Sequence, residues 1–97
     1  MAFPKPEVYS TRLRHLSEKC NALGYPARLA LLDLLAERPA YVSTLVKDMP
    51  LVQGAVSAHL RTLRQSGLID VEVNGLYNKY SFQVDGWRQY VMNLTAT

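Results

Sequence analysis

Gln53, Ser57 and Arg61 stand four residues apart, and Arg64 follows three residues later. Wound as a helix, this spacing sets an amide, a hydroxyl and two guanidinium groups along one side of a single rod. A glutamine amide can bond adenine through two hydrogen bonds, and a serine hydroxyl can reach a base or a phosphate. Arginines further along such a rod neutralise phosphates. No acidic residue lies between Asp48 and Asp70, so the whole stretch suits a polyanion. Catalytic constellations are missing. There is no GxSxG elbow, no HExxH and no P-loop, and the two histidines, His15 and His59, are far apart in sequence. Cys20 is the one cysteine, which excludes an intrachain disulfide and a CxxC metal knuckle. The expectation is a non-enzyme that needs no cofactor and no metal.

The rod is Val52–Ser66, in the stretch Pro50–Gly67. Val52, Val56, Leu60 and Leu63 form an apolar stripe that would dock on a core, while Gly54 and Ala58 line the outer margin of the polar stripe. This pattern fits a helix that enters a DNA major groove. His59 lies towards the apolar side. A half-buried, hydrogen-bonded imidazole is the plainer reading there, and DNA contact is the sharper one. Tyr41–Met49 reads as a short helix with Val42, Leu45, Val46 and Met49 inward, and Ser43 and Thr44 are candidates for its cap or first turn. Pro50 and Leu51 make a tight turn, which completes a helix-turn-helix pair.

Gly67 stops the rod as a left-handed cap. Leu68–Val73 then alternates, with Ile69, Val71 and Val73 on one face. Asn74-Gly75 signals a tight hairpin turn, and Leu76–Val84 returns as a second strand. A hairpin over residues 68–84, directly after the rod, makes a wing on which Lys79, and Asn74 beyond its first role as a turn former, could touch phosphate or the minor groove. Asp85 is a candidate cap for a last helix through Leu94, in which Trp87, Tyr90, Val91 and Leu94 share a face.

Ahead of these elements, residues 1–6 carry two prolines and read as a loose arm. A helix over about Glu7–Leu23 places Tyr9, Leu13, Leu16, Cys20 and Leu23 on a narrow seam. The partner of that seam could lie in the same chain or in a second subunit. Cys20 in it reads as a small buried hydrophobe, with an inter-subunit disulfide as the alternative. Gly24 can cap this helix and Pro26 can open the next. Ala27–Arg38 is apolar on nearly every side, which marks a buried central helix, and Pro39 ends it. The chain of 97 residues, 48% of them hydrophobic, suffices for one core and one domain over residues 7–97. The net charge of +3 permits an acidic partner. The opening MAFPKP has no apolar segment of the secretory kind, and Leu29–Ala36 is too short to span a bilayer. A cytoplasmic protein without membrane attachment is expected.

With these residues in place, the chain resembles the ArsR/SmtB family of bacterial winged-helix repressors. The likeness rests on ALGYPARLALLDLLAE at Ala22–Glu37, AVSAHLRTLRQSGLI at Ala55–Ile69 and NGLYNKYSF at Asn74–Phe82. It implies a mainly α winged helix-turn-helix fold, α-α-α-α-β-β-α, and a homodimer that binds a double-stranded operator. The subunits would join through the first and last helices, by Tyr9, Leu13, Leu16 and Cys20 on one and Trp87, Tyr90, Val91 and Leu94 on the other. The two recognition helices would read half-sites about one DNA turn apart. The DNA-binding set would be Gln53, Gly54, Ser57, Ala58, Arg61, Arg64, Asn74 and Lys79. The family's metal ligands do not carry over. Tyr41 and Ser43 stand where metal-sensing members hold a CxC pair, and no histidine follows Asp85. Val52 stands where members usually place Ser or Thr, Ala58 where they often hold a polar residue, and Leu76 where the wing tip is often basic. These departures support a second reading, a winged-helix protein–protein module that has lost DNA binding. A small-ligand pocket between the outer helices is a further alternative, and no residue pattern identifies an effector.

The central helix generates a stability prediction. Leu32→Ala or Leu35→Ala is expected to cost on the order of 2–5 kcal/mol, a large part of the stability of so small a domain. Thermal or urea melts measure this, and a loss under about 1 kcal/mol would show that the helix is not central.

Overall fold

Seven side chains define the interior: Leu31, Leu35, Leu45, Val56, Leu60, Leu63 and Leu68 are all fully withdrawn from water. In the computed structural model, which describes residues 8–95, they come from four successive segments of chain. The elements are α1 (Thr11–Ala22), α2 (Pro26–Glu37), β1 (Ala40–Tyr41), α3 (Val42–Asp48), α4 (Gln53–Gln65), β2 (Ile69–Asn74), β3 (Tyr77–Phe82) and α5 (Val84–Thr95). This is a winged helix-turn-helix: α3 and α4 form the helix pair, and β2 and β3 form the wing.

α2 begins with Pro26 at its first turn and ends where Arg38 turns extended, as the residue before Pro39 must. Leu31, Leu32 and Leu35 are buried, but Leu29 lies on the opposite flank and stays 47% exposed. The helix is thus less thoroughly enclosed than its composition suggests. α1 starts later than the seam implies. The Ser10 hydroxyl oxygen accepts from the Leu13 backbone N–H at 3.2 Å, and this cap sets the start at Thr11. Tyr9 therefore precedes the helix. Residues 1–6, read as an arm, lie outside the described residues, as does Glu7. At the other end Leu23, not Gly24, is the cap residue, and Gly24 has no positive φ.

α4 ends in a full Schellman motif. The Leu68 N–H bonds the Leu63 carbonyl at 3.2 Å and the Gly67 N–H bonds that of Arg64 at 3.0 Å, with Gly67 at φ +82°. The two side chains that flank this motif, Leu63 and Leu68, are both fully buried. Val52 departs from expectation. Val56, Leu60 and Leu63 form the inner stripe, whereas Val52 is 75% exposed. It is the N-cap residue with extended backbone, φ −73° and ψ 157°, so its side chain leaves the helical rotation that aligns the other three.

The sheet has three antiparallel strands in the order β1-β3-β2. β1 pairs Ala40 with Tyr80 and Tyr41 with Lys79; sequence reading missed it because two residues are too short to show a period. Tyr41 is also the N-cap residue of α3 and makes no side-chain cap bond, so Ser43 and Thr44 fall in the first turn and not at the cap. In the wing, Asn74 and Tyr77 are the last pair, which leaves Gly75 and Leu76 as the loop. Gly75 alone has a positive φ, +65°, the II′ pattern in which glycine takes the first central position. Asn74 is thus a strand residue and not a turn centre. β3 ends at Phe82, and Val84 opens α5. Asp85 does not cap that helix: Gln83 Oε1 accepts from the Asp85 N–H at 3.3 Å.

α5 returns along α1. Arg12 donates to the Asn93 carbonyl at 2.9 Å, and Cys20 Sγ lies 3.7 Å from the Tyr90 hydroxyl. Trp87 stacks on Phe82 with ring centroids 5.2 Å apart and meets Tyr90 edge-on at 5.8 Å. The foot of α5 sits on the cap of α4, where Gln83 N–H bonds the Leu68 carbonyl at 3.1 Å. A methyl group at Gly86 would overlap the Gly67 carbonyl oxygen. Gly86→Ala is therefore expected to destabilise by about 1–3 kcal/mol, outweighing the helix propensity it adds. Differential scanning calorimetry checks this, and a melting temperature equal to or above that of the unmodified protein would contradict it.

Candidate nucleic-acid interface

The Schellman cap at one end and the buried stripe along its length set which face of α4 turns inward, and that orientation turns Gln53, Ser57, Arg61 and Arg64 towards the wing. All four line a concave groove of about 440 Å³ between α4, the start of α3 and the hairpin. Gln53, Arg61 and Arg64 are exposed and Ser57 is half-buried. Tyr41 and Ser43 form one wall, and Leu76, Tyr77, Asn78 and Tyr80 form the other. Neither arginine has a carboxylate partner among the described residues. Among the described residues the one ion pair is Asp85–Arg88, at 3.8 Å on the surface. A concave face with two unneutralised guanidinium groups, an amide, a hydroxyl and aromatic walls can hold phosphate and present hydrogen-bonding groups to base edges.

Gly54 and Ala58 lie outside this groove, both exposed. A methyl placed on Gly54 would meet nothing within 4 Å, so this flank of the helix is open. Asn74 and Lys79 do not line the groove either. Lys79 is half-buried, opposite Tyr41 on β1 and Glu72 on β2, with its Nζ 5.9 Å from the Tyr41 ring centroid. Tyr77 meets the same Tyr41 ring edge-on at 6.0 Å. The tyrosine wall escaped sequence reading because it is assembled by β1, which is too short to detect, and β3. The alternation of Asn78 and Tyr80 along β3 was the available signal.

His59 is half-buried. Its Nδ1 accepts from Arg28 Nε at 3.1 Å, and its ring lies 6.2 Å from that of Tyr25. Sequence reading missed Arg28, which is 31 residues away.

The residues named for a subunit seam are divided in the single chain. Trp87, Tyr90 and Leu16 are half-buried, whereas Tyr9, Leu13, Cys20, Val91 and Leu94 are exposed. Cys20 is thus not buried within one subunit. Burial, and then the hydrogen bond with the Cys20 thiol, pushes the Tyr90 hydroxyl above its ordinary pKa. No cluster of three or more His, Cys, Asp or Glu among the described residues could hold a metal ion. No helix among them is long and apolar enough to cross a membrane.

Known proteins share this architecture. Residues 25–71 match the family described as bacterial regulatory protein, arsR family. An uncharacterised HTH-type transcriptional regulator of Methanocaldococcus jannaschii is 32% identical over 65 residues, spanning 66% of this chain and 73% of that one. An ArsR-like transcriptional regulator from Rhodococcus sp. RHA1 has the same fold, with a TM-score of 0.81 at 21% identity over 88% of this chain and 80% of its own. A possible transcriptional regulatory protein from Mycobacterium bovis aligns with a TM-score of 0.76 at 25% identity, over 86% and 90% of the two chains.

The uncapped start of α4 yields a prediction. Val52 makes no side-chain cap bond, so Val52→Ser is expected to stabilise the fold by about 0.5–2 kcal/mol. Urea denaturation checks this; an unchanged midpoint would show that the cap geometry is unsuitable.

Proposed function

This chain belongs to the arsR family of bacterial regulatory proteins, whose members are DNA-binding transcriptional regulators and not enzymes, and we propose that it acts as a dimeric, cytoplasmic repressor without metal sensing. The observation that carries this reading is the convergence of Gln53, Ser57, Arg61 and Arg64 on one groove, without a carboxylate partner among the described residues. In the proposed complex the first turns of α4 enter the major groove. Gln53 bonds an adenine edge, and Ser57 bonds a base or a phosphate. Arg61 and Arg64 hold phosphates where the helix leaves the groove floor, and Lys79 and Asn74 approach the backbone from the wing. Gly54 and Ala58, with short side chains, let the helix come close to the bases.

Dimerisation follows from what a single chain leaves bare. Tyr9, Leu13, Val91 and Leu94 are each between 41% and 52% exposed, and they belong to α5 and to the segment at and just before α1. Pairing these surfaces about a twofold axis removes them from water and sets two copies of α4 about one DNA turn apart. A dimer seated on an operator blocks access of other proteins to the same stretch, which is repression by occupancy. Absence of a metal response is supported by Tyr41 and Ser43, whose side chains are poor soft-metal ligands.

The test is a salt titration. With about four phosphates neutralised per subunit, log K against log salt is expected to fall with a slope of about −7. Fluorescence anisotropy on a duplex selected from random-sequence DNA measures it. Arg61→Glu is expected to weaken binding to every duplex. A flat salt response, or full binding by Arg61→Glu, would favour a protein–protein module.

A further inference from the structure

The buried face of α4 is set on one flank by leucine and valine, whose burial fixes which side turns inward but, being non-directional, leaves its fine angle to other contacts. On the adjacent flank lies a polar cluster of directional contacts. Arg28 of α2 donates its Nε to His59 Nδ1 on α4 at 3.1 Å. Its Nη1 reaches the carbonyl oxygens of Asn21 and Ala22, the last residues of α1, at 3.4 Å each. The guanidinium carbon lies 4.1 Å from the centroid of the Tyr25 ring. Ala22 is buried and Arg28 is half-buried, so the link is built into the fold and is not a loose surface contact. No ion pair among the described residues involves Arg28.

We infer that Arg28 is a positioning residue for DNA recognition: its guanidinium ties the middle of α4, through His59, to the C-terminal carbonyls of α1. This rests on the proposed DNA-binding role of α4. The chemistry suits the task. A guanidinium is planar, and its donors leave in fixed directions, so the place of Nη1 dictates the place of Nε. The last carbonyls of a helix lie at its negative end and favour a cation; that of Asn21 also accepts from the Gly24 N–H at 3.1 Å, so Nη1 takes its second lone pair. The Tyr25 ring face closes the plane from the side. His59 is two residues from both Ser57 and Arg61, so a roll of α4 at His59 moves both side chains relative to the groove. Because α1 carries part of the surface proposed to face the second subunit, the same link gives α4 a fixed orientation with respect to the twofold axis.

The test compares Arg28→Ala, Arg28→Lys, His59→Ala and His59→Asn with the unmodified protein, on a duplex that this protein selects from random-sequence DNA. Asparagine can present its oxygen where Nδ1 stood, whereas lysine has no second donor at a fixed angle. Arg28→Ala and His59→Ala are each expected to bind about tenfold more weakly, the scale of one lost charge-assisted hydrogen bond. The double alanine variant should be no weaker than either single one. Arg28→Lys should stay weak, and His59→Asn should recover to within about twofold. The salt slope should not change in any variant, because none removes a phosphate contact. Additive losses, no recovery by His59→Asn, or a slope reduced by about one in Arg28→Ala would overturn the inference, the last by making Arg28 a direct phosphate ligand. Nitrogen-15 spectra of the unmodified protein give an independent reading of the imidazole: an unprotonated Nδ1 and a protonated Nε2 support the link, and the opposite tautomer refutes it. If the unmodified protein shows no salt-dependent binding to any duplex, the regulator reading fails with it. If that protein binds while the variants match it, the positioning role alone fails.

Discussion

One constraint governs the rest of the molecule: α4 must hide Val56, Leu60 and Leu63 completely while its remaining sides stay wet. At about 25 cal/mol for each Å² of apolar surface, burying three such side chains supplies several kcal/mol, enough to decide which way the helix faces in a domain of this size. Leu31 and Leu35 from α2, Leu45 from α3 and Leu68 after the Gly67 turn complete the pocket that receives them. Gln53, Arg61 and Arg64 are outward because the apolar stripe cannot be. The groove beside the wing is the by-product of that one packing decision. The Arg28–His59 contact then acts on a helix whose gross orientation is already settled and whose fine rotation is not.

The parts of this architecture legible in the sequence are those with local signals. Pro26 and Pro39 bracket α2, Gly67 ends α4, and the 3–4 spacing of apolar residues picks the inner face of α4. The alternation from Ile69 to Val73, followed by a glycine at 75, reveals the hairpin. Errors arose where the outcome depends on residues distant in sequence or on one backbone torsion. Val52 fits the helical period but is held extended as a cap. Asn74-Gly75 matches one turn type, yet the pairing of Asn74 with Tyr77 selects another. Ser10 outcompetes the longer seam as the start of α1.

The candidate site divides along the same line. That Gln53, Ser57, Arg61 and Arg64 share a side is a property of one helix and can be read from spacing. That Tyr41, Tyr77 and Tyr80 stand across from them needs β1 to pair with β3, and two residues carry no pattern. The partnership of Arg28 with His59 spans two helices and a loop; nothing near either residue announces it. Sequence reading is therefore strongest for what a single element does and weakest for the walls that several elements build together.

Tyr41 belongs to β1 and is at the same time the residue from which α3 departs. The hairpin is thus stitched, through one backbone register, to the front of the helix pair, and no hinge separates the two. Reading head and flap form a caliper locked at one opening. In the proposed DNA complex, a duplex gripped by both must present its grooves at that gauge. If the proposed complex forms, pliant base-pair steps between the two grips would meet that gauge at lower cost than stiff ones, and the fixed opening would then weigh DNA flexibility at positions that no side chain touches.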